Sequence, residues 1–263
     1  MEILLPDGIN IDSEKMKKHL VKFIRDELAK AGFGKLVLGI SGGIDSAVVA
    51  YLAAEAVGPE NVTGVILPYK TSDPENIKDA EAVIEKLGLK RRFIDITPMV
   101  EAYFADHPTD DKNRKGNKMA RERMSILYDI SSEIGALVIG TSNRSEIMMG
   151  YGTLHGDLAC ALNPLGKLYK TQIRQLAAYL GIPDRIVGKP PSADLWSGQT
   201  DEGELGLTYA MLDTFLYYHS DMRHDDRQIE EFGFPRQLIE KLKTRIAKNK
   251  FKGRLPVIAD LPE

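Results

Sequence analysis

Cysteine is almost absent from this chain: Cys160 is the only one in 263 residues. A single thiol cannot close an internal disulfide or build a multi-cysteine zinc site, so packing has to hold the fold. Long apolar runs are missing as well, since "LVLGI" and "ALVIGT" fall far short of the roughly 20 residues a membrane span requires. The opening residues do not show the charged-then-apolar pattern of a secretory signal. The expected setting is therefore a reducing cytoplasm, with no membrane partner. Excess charge of either sign is also scarce: 35 Lys and Arg stand against 38 Asp and Glu, a formal charge of -3. Nucleic-acid binders usually carry a strongly basic footprint, so nucleic acid is excluded as the expected partner. Any anionic ligand must be met by local clusters, and residues 112–123 and 241–254 supply two. Solvated helix faces are the ordinary reading of such clusters until their position in the fold is known.

The apolar spacing indicates a helix over 13–31, with Asp12 or Ser13 as its cap and Gly32 as its stop. Strand-like runs follow at 36–40, 62–67, 93–96 and 136–140, separated by helical stretches at 45–57, 74–87 and 117–134. Strands alternating with helices predict an α/β fold, an open doubly wound parallel sheet covered on both faces. Two long irregular stretches interrupt the pattern, "DHPTDDKNRKGN" and the segment from Gly188 to Gly203. Loops of that length in a compact domain are usually functional or mobile, and both are expected to order over a bound ligand. Further helices are expected near 171–180 and 236–248. The simplest division is one domain over 1–263, with an α/β core at about 35–190 and a helical C-terminal extension at about 205–250.

The stretch "LVLGISGGIDS" joins the first strand to the first core helix. In an open α/β sheet a ligand sits beyond the carboxyl ends of the strands, which is where this loop lies. Gly42 and Gly43 allow a tight turn with N–H groups near an anion, and the helix N-terminus adds partial positive charge. Ser41 and Ser46 offer further donors. No lysine follows the glycines, so the loop does not fit the G-x-x-x-x-G-K-[ST] pattern, and its glycine spacing does not fit G-x-G-x-x-G either. Asp45 would repel a phosphate unless a cation intervened, which suggests magnesium. For a Gly-Gly loop taken alone, a plain turn with Asp45 as N-cap is the stronger reading.

Motifs further along select among ligands. "SGGIDS" resembles the loop of the ATP-pyrophosphatase superfamily, whose members split ATP into AMP and pyrophosphate. "KGNKMARERM", "GTSNRSE", "HGDLACALNPLGKLYKTQ" and "PSADLWSGQTDEGELGLTY" then resemble, in order, the ammonia-dependent NAD synthetases. That resemblance implies an adenine-nucleotide hydrolase-like, Rossmann-like fold and a two-step amidation. ATP would adenylate the nicotinate carboxylate of deamido-NAD, and ammonia would displace AMP from the acyl-adenylate to give NAD.

The resemblance also implies site residues. ATP would be held by Gly39, Ile40, Ser41, Gly42, Gly43, Ile44, Asp45 and Ser46 of the loop, together with Thr141, Lys170 and Ser192. Magnesium would be held by Asp45 and Glu146, and Asp45, Ser46 and Glu146 would carry the chemistry. Deamido-NAD would meet Arg121, Asp157 and Lys252. A homodimer is the family's usual state. Taken singly, Glu146 and Lys170 read as surface charges and Asp157 as a turn residue. Arg123 is unusual, because it falls in the stripe of Met119, Ile126, Ile130 and Ile134; an ion pair and a ligand contact are equally open there. The tail departs from the family pattern at Phe251, where a histidine is common beside Lys252. Rival readings are a tRNA-thiolating enzyme, disfavoured by one cysteine and the negative charge, and a non-catalytic nucleotide sensor, disfavoured by the retained carboxylates.

Overall fold

The computed structural model describes residues 4–192, 194, 200–254 and 258–259. The first helix, α1 (Ser13–Ala31), starts where Asp12 accepts a hydrogen bond from the Lys15 N–H at 3.0 Å and stops at Gly32 in the left-handed region. Its apolar stripe of Leu20, Val21, Ile24 and Leu28 is buried. After it come β1 (Leu36–Gly39), α2 (Ile44–Val57), β2 (Val62–Ile66), α3 (Pro74–Leu87), β3 (Lys90–Phe93), α4 (Thr97–Asp106), α5 (Lys112–Ile134) and β4 (Leu137–Val138).

The strands pair in the order β3-β2-β1-β4, all parallel, with Leu36 opposite both Val62 and Leu137. Between β1 and β4 the strand order reverses, which places the ligand crevice of such a sheet beside the end of β1. Every residue of β2 is buried, as expected of a strand covered on both faces. The helix α2 is buried over most of its surface, with Glu55 alone exposed, because it packs under the sheet and against α1.

Strand β4 is shorter than the expected 136–140, helix α4 is not among the expected helices, and two further boundaries differ for identifiable reasons. The strand β3 spans Lys90–Phe93 rather than 93–96. It is the sheet edge, so its arginines reach outward to Glu81 and Glu133, and an edge guarded by charge carries little of the apolar pattern that marks strands. Helix α5 begins at Lys112, five residues before the expected start, because Asp111 caps the N–H groups of Asn113 and Arg114. Much of the anticipated loop is therefore helix. The segment from Gly188 to Gly203 lies partly outside the described residues; its described end forms α9, introduced below.

Beyond β4 the chain forms α6 (Arg144–Met149), α7 (Lys170–Tyr179), α8 (Asp184–Val187), α9 (Asp201–Leu205), α10 (Tyr209–Leu216), α11 (Asp226–Glu231) and α12 (Arg236–Asn249). The last helices enclose a second apolar cluster, with Tyr209, Leu212, Phe215, Phe234 and Ile239 at its centre, that also holds Met149 and Tyr169. Through those two residues the C-terminal helices are packed onto the segments that follow β4.

Candidate active site

The turn between β1 and α2 is built around one glycine. Gly42 has φ +78, and a Cβ there would collide with the Asn76 carbonyl oxygen. Only glycine fits that position. Gly43, with φ -89 and ψ 164, is the N-cap of α2, so Asp45 lies inside the first turn rather than at the cap. The serines shape the turn itself: Ser41 N–H donates to Ser46 Oγ at 3.2 Å, Ser46 Oγ donates to Gly43 O at 3.1 Å, and Gly43 N–H donates to Ser41 Oγ at 3.2 Å. No side chain caps the first amides of α2, which point beyond the sheet with the positive end of the helix dipole.

Opposite this turn stands α6. Asn143 caps it in a reciprocal box: Glu146 N–H donates to Asn143 Oδ1 at 3.0 Å, and Asn143 N–H donates to Glu146 Oε2 at 3.3 Å. The same Asn143 uses its Nδ2 to donate to Asp45 Oδ1 at 3.0 Å. Asparagine thus joins the two carboxylates across the crevice. It went unassigned in the sequence, although the N-x-x-E spacing of "NRSE" is a capping signature that points to it.

Lys170, at the first position of α7, completes the cluster. Its ammonium pairs with Asp45 Oδ2 and with Glu146 Oε1, the latter at 3.2 Å, and lies over the Tyr209 ring at 5.2 Å from its centroid. Only 3% of the side chain is exposed, so the solvated lysine suggested by its position at a helix start is not what the fold makes of it. Burial would lower the Lys170 pKa, but Asp45 and Glu146 outweigh it and hold the ammonium above its ordinary value. For Glu146 the balance is reversed: burial raises its pKa, Lys170 opposes, and Asp45 and Asp201 add to the rise. Asp201 is a third carboxylate, itself buried and held by the Tyr209 hydroxyl at 3.0 Å. Lys170 thus pairs with Asp45 and Glu146, while Asp201 stands near enough to push the Glu146 pKa further up.

A cavity of about 590 Å³ opens beside this cluster. Val65, Ile66, Leu67, Leu127 and Ile139 form an apolar wall, while Asp45, Glu146, Lys170 and Asp201 form a charged end. Of the residues singled out in the sequence, Gly39, Ile40, Ser41, Gly43, Ile44, Asp45, Ser46, Thr141, Glu146, Asp157, Lys170, Ser192 and Lys252 all line it. Gly42 is turned against Asn76 instead. Lys252 donates to the carbonyls of Gly150 and Gly152 at 2.9 and 3.0 Å, which leaves one of its three donors for a ligand. Asp157 accepts from the Thr153 N–H at 2.8 Å, four residues back rather than in the forward contact of an Asp-turn. The neighbour of Lys252 in the tail, Phe251, is 59% exposed and does not line the cavity.

Arg121, like Gly42, is absent from the cavity wall. It is exposed on α5, donates to the Leu154 carbonyl at 3.3 and 3.2 Å, and does not line the cavity. On α5 the expected apolar stripe is present, for Met119 and Ile130 are buried while Arg121 is exposed. Arg123 lines the cavity, donating Nε–H to the Leu67 carbonyl at 2.9 Å, with no ion-pair partner among the described residues. Burial lowers its pKa, with Asp194 and Asp157 acting the other way from a distance.

Among the described residues no group of three potential ligands could hold a metal alone. Asp45 and Glu146 converge on the Lys170 ammonium, and the lone pairs their oxygens keep beside it are what the protein offers to magnesium, which is commonly held by one or two carboxylates with phosphate oxygens and water completing its shell. The donor set thus fits that ion together with a phosphorylated ligand.

Residues 16–256 match the NAD synthase family profile. An NH3-dependent NAD(+) synthetase from Trichlorobacter lovleyi is 50% identical over 95% of this chain and 92% of its own length. Among solved structures, the NH3-dependent NAD synthetase from Campylobacter jejuni shares 36% identity with a TM-score of 0.81, over 95% of this chain and all of that one (100%). An NMN synthetase from Francisella tularensis superimposes with a TM-score of 0.85 at 34% identity, covering 96% of this chain and 100% of that one.

Proposed function

The chain belongs to the NAD synthase family, and from that premise we propose that it is an ammonia-dependent ligase converting deamido-NAD to NAD with ATP. The observation that carries this reading is the convergence of Asp45, Glu146 and Lys170 at the N-terminus of α2, at one end of a cavity whose other wall is apolar enough for a base.

A carboxylate cannot be displaced directly by ammonia because oxide would have to leave. The nicotinate oxygen therefore attacks the α-phosphorus of ATP: an O–P bond forms, the bond to the β-phosphate oxygen breaks, and pyrophosphate departs. Ammonia then adds to the acyl carbon, AMP leaves with the bonding electrons, and the nitrogen loses a proton. In the first step two anions must meet. Lys170 places a desolvated positive charge at that point, where charge is worth more than in water. The uncapped amides of α2 receive the departing pyrophosphate, and Gly42 holds them in place. Asp45 and Glu146 would hold magnesium, whose charge neutralises the phosphates when it is bound. Thr141 and Ser192 are assigned to ATP, and Asp157 and Lys252 to the dinucleotide.

The same reading treats residues 1–263 as one cytoplasmic domain working as a homodimer. Support for the dimer comes from Arg121, assigned to deamido-NAD yet exposed outside its own cavity, where a partner subunit's ligand could reach it. Sedimentation of wild type and Arg121→Ala, together with the deamido-NAD KM of each, tests that assignment.

The similarity to an NMN synthetase defines the competing substrate, the mononucleotide nicotinate. Purified protein given ATP, magnesium, ammonium and either deamido-NAD or nicotinate mononucleotide should release AMP and pyrophosphate and turn over the dinucleotide faster. ADP and phosphate as products would overturn the reading. A preference for the mononucleotide would reassign the substrate.

A further inference from the structure

Asp213 is fully buried on α10, in the C-terminal helices, and lies outside the cavity lining. Its carboxylate does not sit in an apolar pocket alone. Oδ1 accepts from the Ser145 hydroxyl at 2.5 Å, and Oδ2 accepts from the Thr171 N–H at 2.8 Å. Ser145 Oγ in turn accepts from the Lys170 N–H at 3.0 Å. Those three contacts reach the residues immediately beside Glu146 on α6 and Lys170 itself on α7.

We propose that Asp213 is a positioning residue: it ties the first turns of α6 and α7 to one point, so that Glu146 and Lys170 meet Asp45 at fixed spacing. This inference rests on the assignment of that cluster as the adenylation site. Helix starts present unpaired N–H groups that need an acceptor, and a carboxylate satisfies them more strongly than a neutral group. Water or a local cap could satisfy the Lys170 and Thr171 amides separately. One carboxylate serving both helices does more, because neither helix can shift without breaking a buried charge-assisted bond. The same helix α10 contributes Tyr209, whose ring lies under the Lys170 ammonium and whose hydroxyl holds Asp201. Thus α10 braces the charged cluster from behind at two places one helical turn apart.

The sequence offers a reason to separate this role from plain core packing. Around Asp213 stand Leu212, Phe215 and Leu216, all buried, and an apolar side chain would have been the cheaper occupant of such a site.

The test compares wild type with Asp213→Asn and Ser145→Ala. Asparagine preserves the shape but turns a donor toward one of the two donors that Asp213 now accepts from; alanine removes the hydroxyl that links Asp213 to the Lys170 amide. Steady-state kinetics are run well below each melting temperature, with activity expressed per folded molecule by active-site titration. Expected for both variants is a fall in kcat of about 10–100-fold, the usual scale for partners that orient a working group, with KM for deamido-NAD within about twofold of wild type. In the double variant the losses should not multiply, because both act through one bond. A lowered melting temperature with unchanged kcat would make Asp213 a stability residue and overturn the proposal, as would fully multiplicative losses. If Asp213→Asn yields no folded protein, Ser145→Ala alone decides by the same kcat and KM criteria. Wild type that forms no NAD would instead refute the functional reading, so the two failures are distinguishable.

Discussion

Glu146 is a side chain that folding penalises and the proposed chemistry needs. Burial raises its pKa above the ordinary carboxylate value of about 4.3, and Lys170 does not fully compensate. With the folded value above the unfolded one, the folded state keeps the proton longer as pH rises. Stability therefore falls through the interval between the two values and is lowest once both states are ionised. Glu146→Gln cannot ionise, and its amide oxygen can still accept the Asn143 N–H. In buffer stripped of divalent ions, the variant is expected to melt above wild type near neutral pH, by about 2–4 °C for each kcal/mol of relieved strain. Its kcat should fall by at least about 100-fold, the scale of losing one charge-stabilising group. Melting curves across about pH 4 to 8 check the sign: the two proteins should converge at the acid end, and a variant less stable than wild type at neutral pH would contradict the argument. What the sequence revealed at this scale was the identity of the charges and not their bonding. Asp45, Glu146 and Lys170 lie far apart in the chain, and motif resemblance brought them together before any geometry did. Asn143 and Asp213 stayed hidden because an asparagine or aspartate near a helix looks the same whether it caps locally or bridges two distant segments.

At the scale of elements, legibility followed the strength of the periodic pattern. The buried strands β1 and β2 and the helices α1, α2 and α3 matched the sequence reading closely, since covered strands and amphipathic helices impose apolar periods. The strand β3, the short helix α6 and the early turns of α5 did not, because an edge strand needs only one partner and a capped helix start can be wholly polar. The loop between β1 and α2 was readable for a different reason: backbone geometry there demands a particular residue. Two glycines isolate that demand. Gly42 and Gly88 have φ of +78 and +67, so alanine at either meets the same left-handed strain of about 1–2 kcal/mol. Around Gly88 a Cβ would find open space, whereas at Gly42 it strikes the Asn76 carbonyl. Gly88→Ala should therefore lower stability by the strain alone and keep wild-type kinetics. Gly42→Ala should lose more stability and at least about tenfold in kcat/KM for ATP, because the loop must move to relieve the collision. Urea melts and ATP kinetics on both variants make the comparison; equal kinetics in the two would remove the loop from the site.

For the whole molecule the open question is where the nitrogen comes from. Hydrolysing glutamine requires a nucleophile, commonly a cysteine thiolate made reactive by a nearby base or positive charge. This chain has one candidate, and its surroundings argue against that role. Cys160 packs against the cluster formed by Val37, Val65, Met119 and Val138, and its Sγ stands only 2.5 Å from where a Cβ on Gly140 would be. Burial pushes its thiol pKa up, away from the thiolate, although the Gly140 N–H opposes the shift. Such a cysteine behaves as a small apolar residue. The expected outcome is efficient NAD formation from ammonium chloride and none from ammonia-free glutamine at equal nitrogen. Cys160→Ser should retain most of the ammonium-dependent rate, with a packing cost of about 1 kcal/mol visible in its melting temperature. Ellman titration supports the same point from the other side, since a shielded thiol with a raised pKa should react slowly in the native protein and quickly after unfolding. Glutamine-driven turnover that vanishes in Cys160→Ser would make the thiol catalytic and would give this chain a second active centre, which the packing around Gly140 leaves no room to build.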